Sequence, residues 1–307
     1  MRAAVITRPG QPASLADRDE PSPAPDEVVV DVTAAPITPL DLLCATGTSY
    51  FGVPATPYVP GVQGVGTVGG SAVWFPTTAG MGAGDGSMAA RAAVRREDLV
   101  FLPDGADPVA LAALGLSAVA AHRALTWRGE LAPGETVIVL GCGAVGQAAI
   151  QLARLAGAGR VVAAARSAAS RERARRAGAD AVVGLDADFT EVAADADLLL
   201  DPLFGEPAAA AALALRPGGR WVNLGASAGE HCPITSSVLR SRSLRLSGYT
   251  NNELTRQQRA DSIATIARHA VRGELVVDHE TVPLADVTDA WTRQAGGTAN
   301  GRIVLVP

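Results

Sequence analysis

The sequence predicts an α/β protein: a β-rich first domain, then a doubly wound parallel-sheet domain, then a tail of different texture. Three observations carry this. The first third has short apolar runs set between Pro, Gly and Thr turns; from Glu135 onward strand, glycine turn, helix and strand alternate; and the last fifty residues change character again. Alternation of the second kind is the signature of βαβ units, whose strands pair in parallel.

In chain order, Met1 to Ile6, Val28-Val29-Val30 and Val73-Trp74-Phe75 read as strands bounded by turn residues. Val109 to Leu125 is alanine-dense and broken only by Gly115, which favours helix. Thr136 to Leu140 is a β-branched strand, Val145 to Ala156 has helical apolar spacing, and Arg160 to Ala164 is a second strand. Further strands are expected at Ala181 to Val183, Leu198 to Leu200, Arg220 to Leu224 and Leu244 to Leu246, with a helix over Pro207 to Leu215 stopped by Pro217-Gly218-Gly219. A helix from Thr255 to Arg272 and strands at Leu275 to Val277 and Ile303 to Val306 close the chain. The expected division is 1–115, 116–252 and 253–307.

Composition narrows the chemistry. All 26 basic residues among the 307 are arginine, so a Walker phosphate loop, Schiff-base chemistry and a Tyr-Lys reductase pair are excluded for want of an ε-amino group. A net charge of −5 disfavours nucleic acid or an anionic membrane as the main partner. Cys44, Cys142 and Cys232 are scattered and odd in number, which suggests neither a disulfide framework nor a cysteine-rich zinc site and points to a reducing cytoplasm. No stretch reads as a signal peptide, and no membrane-spanning segment is expected.

Between the first strand and helix of the parallel-sheet region stands Gly141-Cys142-Gly143-Ala144-Val145-Gly146. At that spacing the first glycine makes a tight turn, the second admits a pyrophosphate, and the third lets helix and strand approach. Amides at the helix N-terminus then face the phosphates. About 20 residues beyond the last glycine an acid ordinarily accepts the ribose hydroxyls; here Arg166 holds that place, followed by Ser167. A cation and a hydroxyl suit a 2′-phosphate, so NADPH is the expected cofactor, with Arg171 in support. The missing acid also argues against an S-adenosylmethionine methyltransferase.

With these residues in view, the chain resembles the medium-chain dehydrogenase/reductase superfamily, most closely its zinc-free quinone oxidoreductase and enoyl reductase branch. Carrying the resemblance are Met1 to Ile6, Asp26 to Val32, Pro39-Leu40-Asp41 with Gly47, Tyr58 to Val68, Asp201, Pro217 to Arg220, Leu224-Gly225 and Gly301 to Leu305. It implies a GroES-like β-rich catalytic domain interrupted by a Rossmann domain, a small-molecule substrate and a homodimer. Where zinc-dependent members carry Cys and a Gly-His-Glu, this chain has Thr38 and Gly61-Val62-Gln63, so no metal is expected. The segment between Val68 and Val73 is also shorter than in the family, and the loop Thr77 to Gly86 is rich in glycine.

Without a metal, reduction of a conjugated carbonyl or quinone needs hydride, a donor for the developing oxyanion, and a proton. The resemblance makes Tyr50 the candidate donor, one residue later than the family places it, with Thr38 beside the nicotinamide and Asp41 orienting that loop. It places Gly225, Asn300 and Arg302 near the cofactor, and makes His231 the histidine most worth testing. The expected activity is NADPH-dependent reduction of a small enone, enoyl compound or quinone. The alternatives are a carbonyl/alcohol oxidoreductase of the same fold, or a low-turnover NADPH-binding sensor or structural protein.

Overall fold

The computed structural model describes residues Met1–Pro307, which divide into two units. One comprises Met1–Gly115, Arg256–Gly273 and Val277–Pro307; the other comprises Leu116–Thr255 and Glu274–Val276.

The first unit opens with a hairpin of β1 (Arg2–Val5) and β2 (Ser14–Asp17). There follow β3 (Glu27–Pro36), α1 (Pro39–Thr46), β4 (Gln63–Val68), β5 (Ser71–Pro76), β6 (Arg91–Arg95) and β7 (Val100–Phe101). The β-branched run of β3 makes it a central strand, with β4 and β6 both paired to it antiparallel. Gly66 is required in β4 because a Cβ there would run into the carbonyl oxygen of Asp31.

α2 (Pro108–Arg123) is broken by Gly115, at φ 25° and ψ −129°, and runs on as a π turn, Ala124–Arg128. The run Pro108–Arg128 is long and apolar enough on composition alone to cross a membrane, which the sequence reading did not anticipate. Much of it is buried, as a core helix also is.

The second unit is the doubly wound sheet. It contains β8 (Thr136–Leu140), α3 (Ala144–Leu155), β9 (Arg160–Ala164), α4 (Ala168–Arg176), β10 (Ala181–Val183) and α5 (Phe189–Val192). It continues with β11 (Ala196–Asp201), α6 (Gly205–Ala212), β12 (Leu215–Asn223), α7 (Ser236–Ser241) and β13 (Arg245–Gly248). All six strands are parallel, in the order β10-β9-β8-β11-β12-β13. Val137 to Leu140 are fully buried, each contributing about 1.5–3 kcal/mol of burial. The order reverses between β8 and β11, and ligands of such sheets bind outside the carboxyl ends of the strands at that point.

The chain returns to the first unit through α8 (Arg256–Val271), then β14 (His279–Pro283), α9 (Val287–Ala295) and β15 (Arg302–Val306). β15 pairs antiparallel with β3 and parallel with β14, completing a seven-stranded sheet. Leu275 to Val277, expected as a strand, is not one. Gln151 satisfies the Val276 backbone from its side chain, accepting from its N–H at 3.0 Å and donating to its carbonyl at 2.6 Å. The strand lies a few residues later, at β14, where the pairing partner is β15.

Candidate functional site

The glycine turn Gly141–Gly146 grows directly out of β8. Gly141 sits at φ +73°, open to glycine at little cost, and its N–H donates to Ala164 at the end of β9 (2.8 Å). Gly143 is the N-cap of α3 and offers no side-chain cap, so the first amides of α3 lack the partner a Ser or Asp would give them. A Cβ at Gly143 would meet nothing within 4 Å, whereas one at Gly146 would strike the Gly141 carbonyl oxygen. The glycines therefore divide their work: Gly141 turns, Gly143 leaves space before the helix end, and Gly146 lets α3 lie on the strand. Ala144 and Val145 form the half-buried first turn. An uncapped helix N-terminus facing open space suits a dinucleotide pyrophosphate.

At the end of β9, Arg166 is exposed. Two of its supporting residues behave differently from expectation. Ser167 is the N-cap of α4: its oxygen accepts from the Ser170 amide (3.1 Å) and its hydroxyl donates to Ser170 Oγ (2.9 Å). That proton serves the cap rather than a phosphate in this arrangement. Arg171 donates to the carbonyls of Arg166 (2.9 Å) and Ala165 (3.3 Å), so it braces the loop that carries Arg166. Arg173 of α4 is a further cation of this region. Burial pushes the Cys142 thiol up to about 12, and the Arg173 charge opposes that rise. The α4 helix thus brings a positive charge close to the phosphate turn, which spacing along the chain does not reveal.

The neighbouring turn is pinned by Asp201, fully buried at the end of β11. It accepts from Leu203 N (2.9 Å), Phe204 N (2.7 Å), Trp221 Nε1 (2.9 Å) and Asn223 Nδ2 (3.2 Å). These bonds hold Phe204 at φ 57° and ψ −159°, a conformation costing roughly 1–3 kcal/mol for a residue other than glycine. The Gly225 carbonyl accepts from Asn223 (2.8 Å), and a Cβ at Gly225 would come within 3.2 Å of Pro202 O. His231 is exposed.

In the first unit Thr38 caps α1 and forms a capping box with Asp41. One Asp41 oxygen accepts from the Thr38 amide (2.8 Å) and hydroxyl (2.6 Å). The other accepts from the amides of Gly61 (3.1 Å) and Val62 (2.8 Å). Asp41 is 2% exposed. Burial raises its pKa, against hydrogen bonds from Thr38 and Val62 and the charge of Arg302, which all lower it. Asp41 therefore ties α1 to the turn before β4, consistent with an orienting role. Thr38, by contrast, has its hydroxyl hydrogen committed to Asp41, so here it has no proton to offer a ligand.

Arg302 departs from expectation too. It is 7% exposed, its Nη1 donates to Ile37 O (2.7 Å), and burial lowers its pKa to about 10 while Asp41 raises it. Its charge acts on Asp41 inside its own unit. Asn300 is exposed at the turn before it. Tyr50 is 75% exposed and stacks on Phe51, with ring centroids 4.3 Å apart.

These residues do not fit a zinc ion. Thr38 is occupied as described, Val62 has no donor atom in its side chain, and Gln63 Oε1 accepts from Trp74 Nε1 at 2.9 Å in a fully packed position. Nowhere do three His, Cys, Asp or Glu side chains converge, as a catalytic site for Zn²⁺ requires.

Comparison with known proteins agrees with this architecture. A family model described as zinc-binding dehydrogenase matches residues 144–267. The quinone oxidoreductase of Thermus thermophilus, whose structures include a complex with NADPH, is 29% identical over all of both chains, with a TM-score of 0.84. An alcohol dehydrogenase superfamily protein from Novosphingobium aromaticivorans is 26% identical over 100% of this chain and 99% of its own, with a TM-score of 0.89. An NAD-dependent alcohol dehydrogenase, 24% identical over the whole of both chains with a TM-score of 0.87, shares the fold. No curated protein matches the sequence.

Proposed function

We propose, for a chain with the architecture of the medium-chain dehydrogenase/reductase superfamily, that it is an NADPH-dependent reductase of a small conjugated carbonyl or quinone, working without zinc. The nicotinamide cofactor is supported by the relatives; the preference for NADPH rests on one observation. At the end of β9, where an acid would accept ribose hydroxyls and repel a 2′-phosphate, the chain presents exposed Arg166 with Arg171 bracing its carbonyl.

When bound, the cofactor supplies the hydride. The residues of the turn, Gly141 to Gly146, would hold the pyrophosphate at the α3 N-terminus, and Arg166 would take the 2′-phosphate. Arg171 keeps that loop in place, and Arg173 adds positive potential beside the turn. In the first unit Asp41 fixes the Thr38 and Gly61-Val62 segments as one rigid floor. Because neither Thr38, Val62 nor Gln63 can bind a metal here, polarisation of a substrate oxygen falls to a hydrogen-bond donor. Tyr50 is exposed and available for such a role. The reading includes a cytoplasmic homodimer, for which mass determination in solution is the check.

The test is a fluorescence titration with NADPH and NADH, followed by turnover against enones, quinones and aldehydes, with metal analysis of the same protein. Tighter NADPH binding and saturated-carbonyl or hydroquinone products are expected. Alcohol products would replace this reading with a carbonyl reductase. Cofactor binding with no turnover would replace it with a binding protein, and one zinc per chain would contradict the metal-free mechanism.

A further inference from the structure

A carboxylate leaves water only at a cost that hydrogen bonds must offset, and Asp201 has no exposed surface at all. Its four donors come from two places. The Leu203 and Phe204 amides of the turn after β11 bond one oxygen, and Trp221 and Asn223 of β12 bond the other. Asn223 carries the link onward through its bond to Gly225 O. The segments after β11 and β12 are also joined directly, since Ala228 N donates to Leu203 O (2.8 Å) and Ser227 Oγ to Pro202 O (3.2 Å). Residues 202–205 and 225–229 thus form one body with Asp201 at its centre. Within it Phe204 keeps its positive φ, a strain that persists only where surrounding bonds over-determine it and that collects at ligand sites.

That body stands against the glycine turn. A Cβ at Gly141 would lie 3.1 Å from Leu203 Cδ2 and 3.7 Å from Pro202 Cγ, so half-buried Leu203 borders the turn. Arg166 stands on the other side of it. In the strand order β10-β9-β8-β11-β12-β13, Arg166 follows β9, whereas Asp201 ends β11 and Gly225 follows β12. A dinucleotide lying across the carboxyl ends, with its pyrophosphate at the α3 N-terminus and its 2′-phosphate at Arg166, extends its other half over β11 and β12. All of these residues belong to the second unit.

We propose that Asp201 is a positioning residue for the nicotinamide half of the cofactor, holding the 202–204 turn so that Leu203 forms the wall on which that half lies. This rests on the NADPH reading above and deepens it, because Arg166 fixes which half of the dinucleotide the wall meets. Asp201 acts through the two turns and does not touch the cofactor, since both its oxygens are filled by protein donors. Its effect therefore falls on affinity for the nicotinamide half and spares the adenosine half. A carboxylate that only braces the sheet has no such preference. Asp197, at the opposite end of β11, is one of these: it accepts from Thr136 N (2.8 Å) and from Arg216 Nε, at the amino ends of the strands.

The experiment titrates NADPH and adenosine 2′,5′-bisphosphate, which carries the adenosine half alone, into wild type, Asp201→Asn, Asn223→Ala and Asp197→Asn by calorimetry, with melting temperatures measured beside them. An amide at position 201 keeps one accepting oxygen and turns its NH₂ towards two of the four donors, so the turns must shift. NADPH should then weaken about tenfold, while the bisphosphate stays within about twofold. Asn223→Ala leaves Asp201 three donors and should show the same preference at a smaller factor, which decides the matter if Asp201→Asn does not fold. Asp197→Asn should lower the melting temperature and leave both affinities within about twofold. Equal weakening of both ligands in Asp201→Asn and Asn223→Ala, or weakening of neither, overturns the positioning role and leaves the NADPH reading intact. A wild type that does not bind the bisphosphate overturns the NADPH reading, and this assignment with it.

Discussion

Replacing Asp41 by Asn removes one charge and one acceptor oxygen at nearly constant volume, so its effect can be worked from the bonds in place. The carboxylate accepts four hydrogen bonds, two on each oxygen. An amide keeps one accepting oxygen. If that oxygen faces Gly61 and Val62, the new NH₂ opposes the Thr38 N–H; if it faces Thr38, the NH₂ opposes two backbone amides. One or two buried donors lose their partner, at about 1–3 kcal/mol each. Arg302, buried in the same unit and bonded to Ile37 O, also loses the favourable charge of Asp41. The expected loss is therefore about 1–3 kcal/mol for each donor left bare, a large share of the roughly 5–15 kcal/mol by which a protein is stable. Urea denaturation followed by tryptophan fluorescence measures it, with Thr38→Val as a companion expected to lose only about 0.5–2 kcal/mol. A loss below about 1 kcal/mol for Asp41→Asn would refute the account of Asp41 as the pin of this unit.

Arg166→Asp should weaken NADPH binding by more than about 1.5–3 kcal/mol, the worth of one charged hydrogen bond, with NADH little affected; equal loss for both in a titration would sink the assignment. Arg171→Ala should weaken NADPH by a smaller factor, since it braces the loop through two carbonyls, and a loss as large as that of Arg166→Asp would show direct contact instead. Gly146→Ala should abolish binding of both cofactors because its Cβ meets the Gly141 carbonyl; retained binding in a calorimetric titration would show that α3 can shift. Burial pushes Cys44 up to about 11 and Cys142 up to about 12, so both stay protonated at pH 8 and become thiolates only as pH rises through those values. Iodoacetamide at pH 8 should therefore modify half-exposed Cys232 first, and mass mapping that found Cys142 modified first would contradict its burial.

The elements whose signals are local were legible in the chain. β8, α3 and β9 lie within one or two residues of expectation because apolar period and glycine spacing are properties of contiguous residues. The capping box could likewise have been read from Thr38 and Asp41 three residues apart, which would have warned that the Thr38 hydroxyl was committed. Other features carried no such signal. Leu275 to Val277 has the composition of a strand, but Gln151, distant in sequence, takes the bonds a strand would need.

By itself the sequence determined the two textures, the glycine turn after β8 and the presence of Arg166 at the end of β9, all of which depend on residue type and spacing. Only the tertiary structure decided which polar groups are spent. Thr38, Ser167, Arg171 and Arg302 each found a partner inside the fold, and Tyr58 alone of the tyrosines was left buried without one. The reason is physical: a side chain's chemistry is fixed by its formula, but its availability depends on which donors and acceptors packing brings within about 3 Å, and those come from remote parts of the chain.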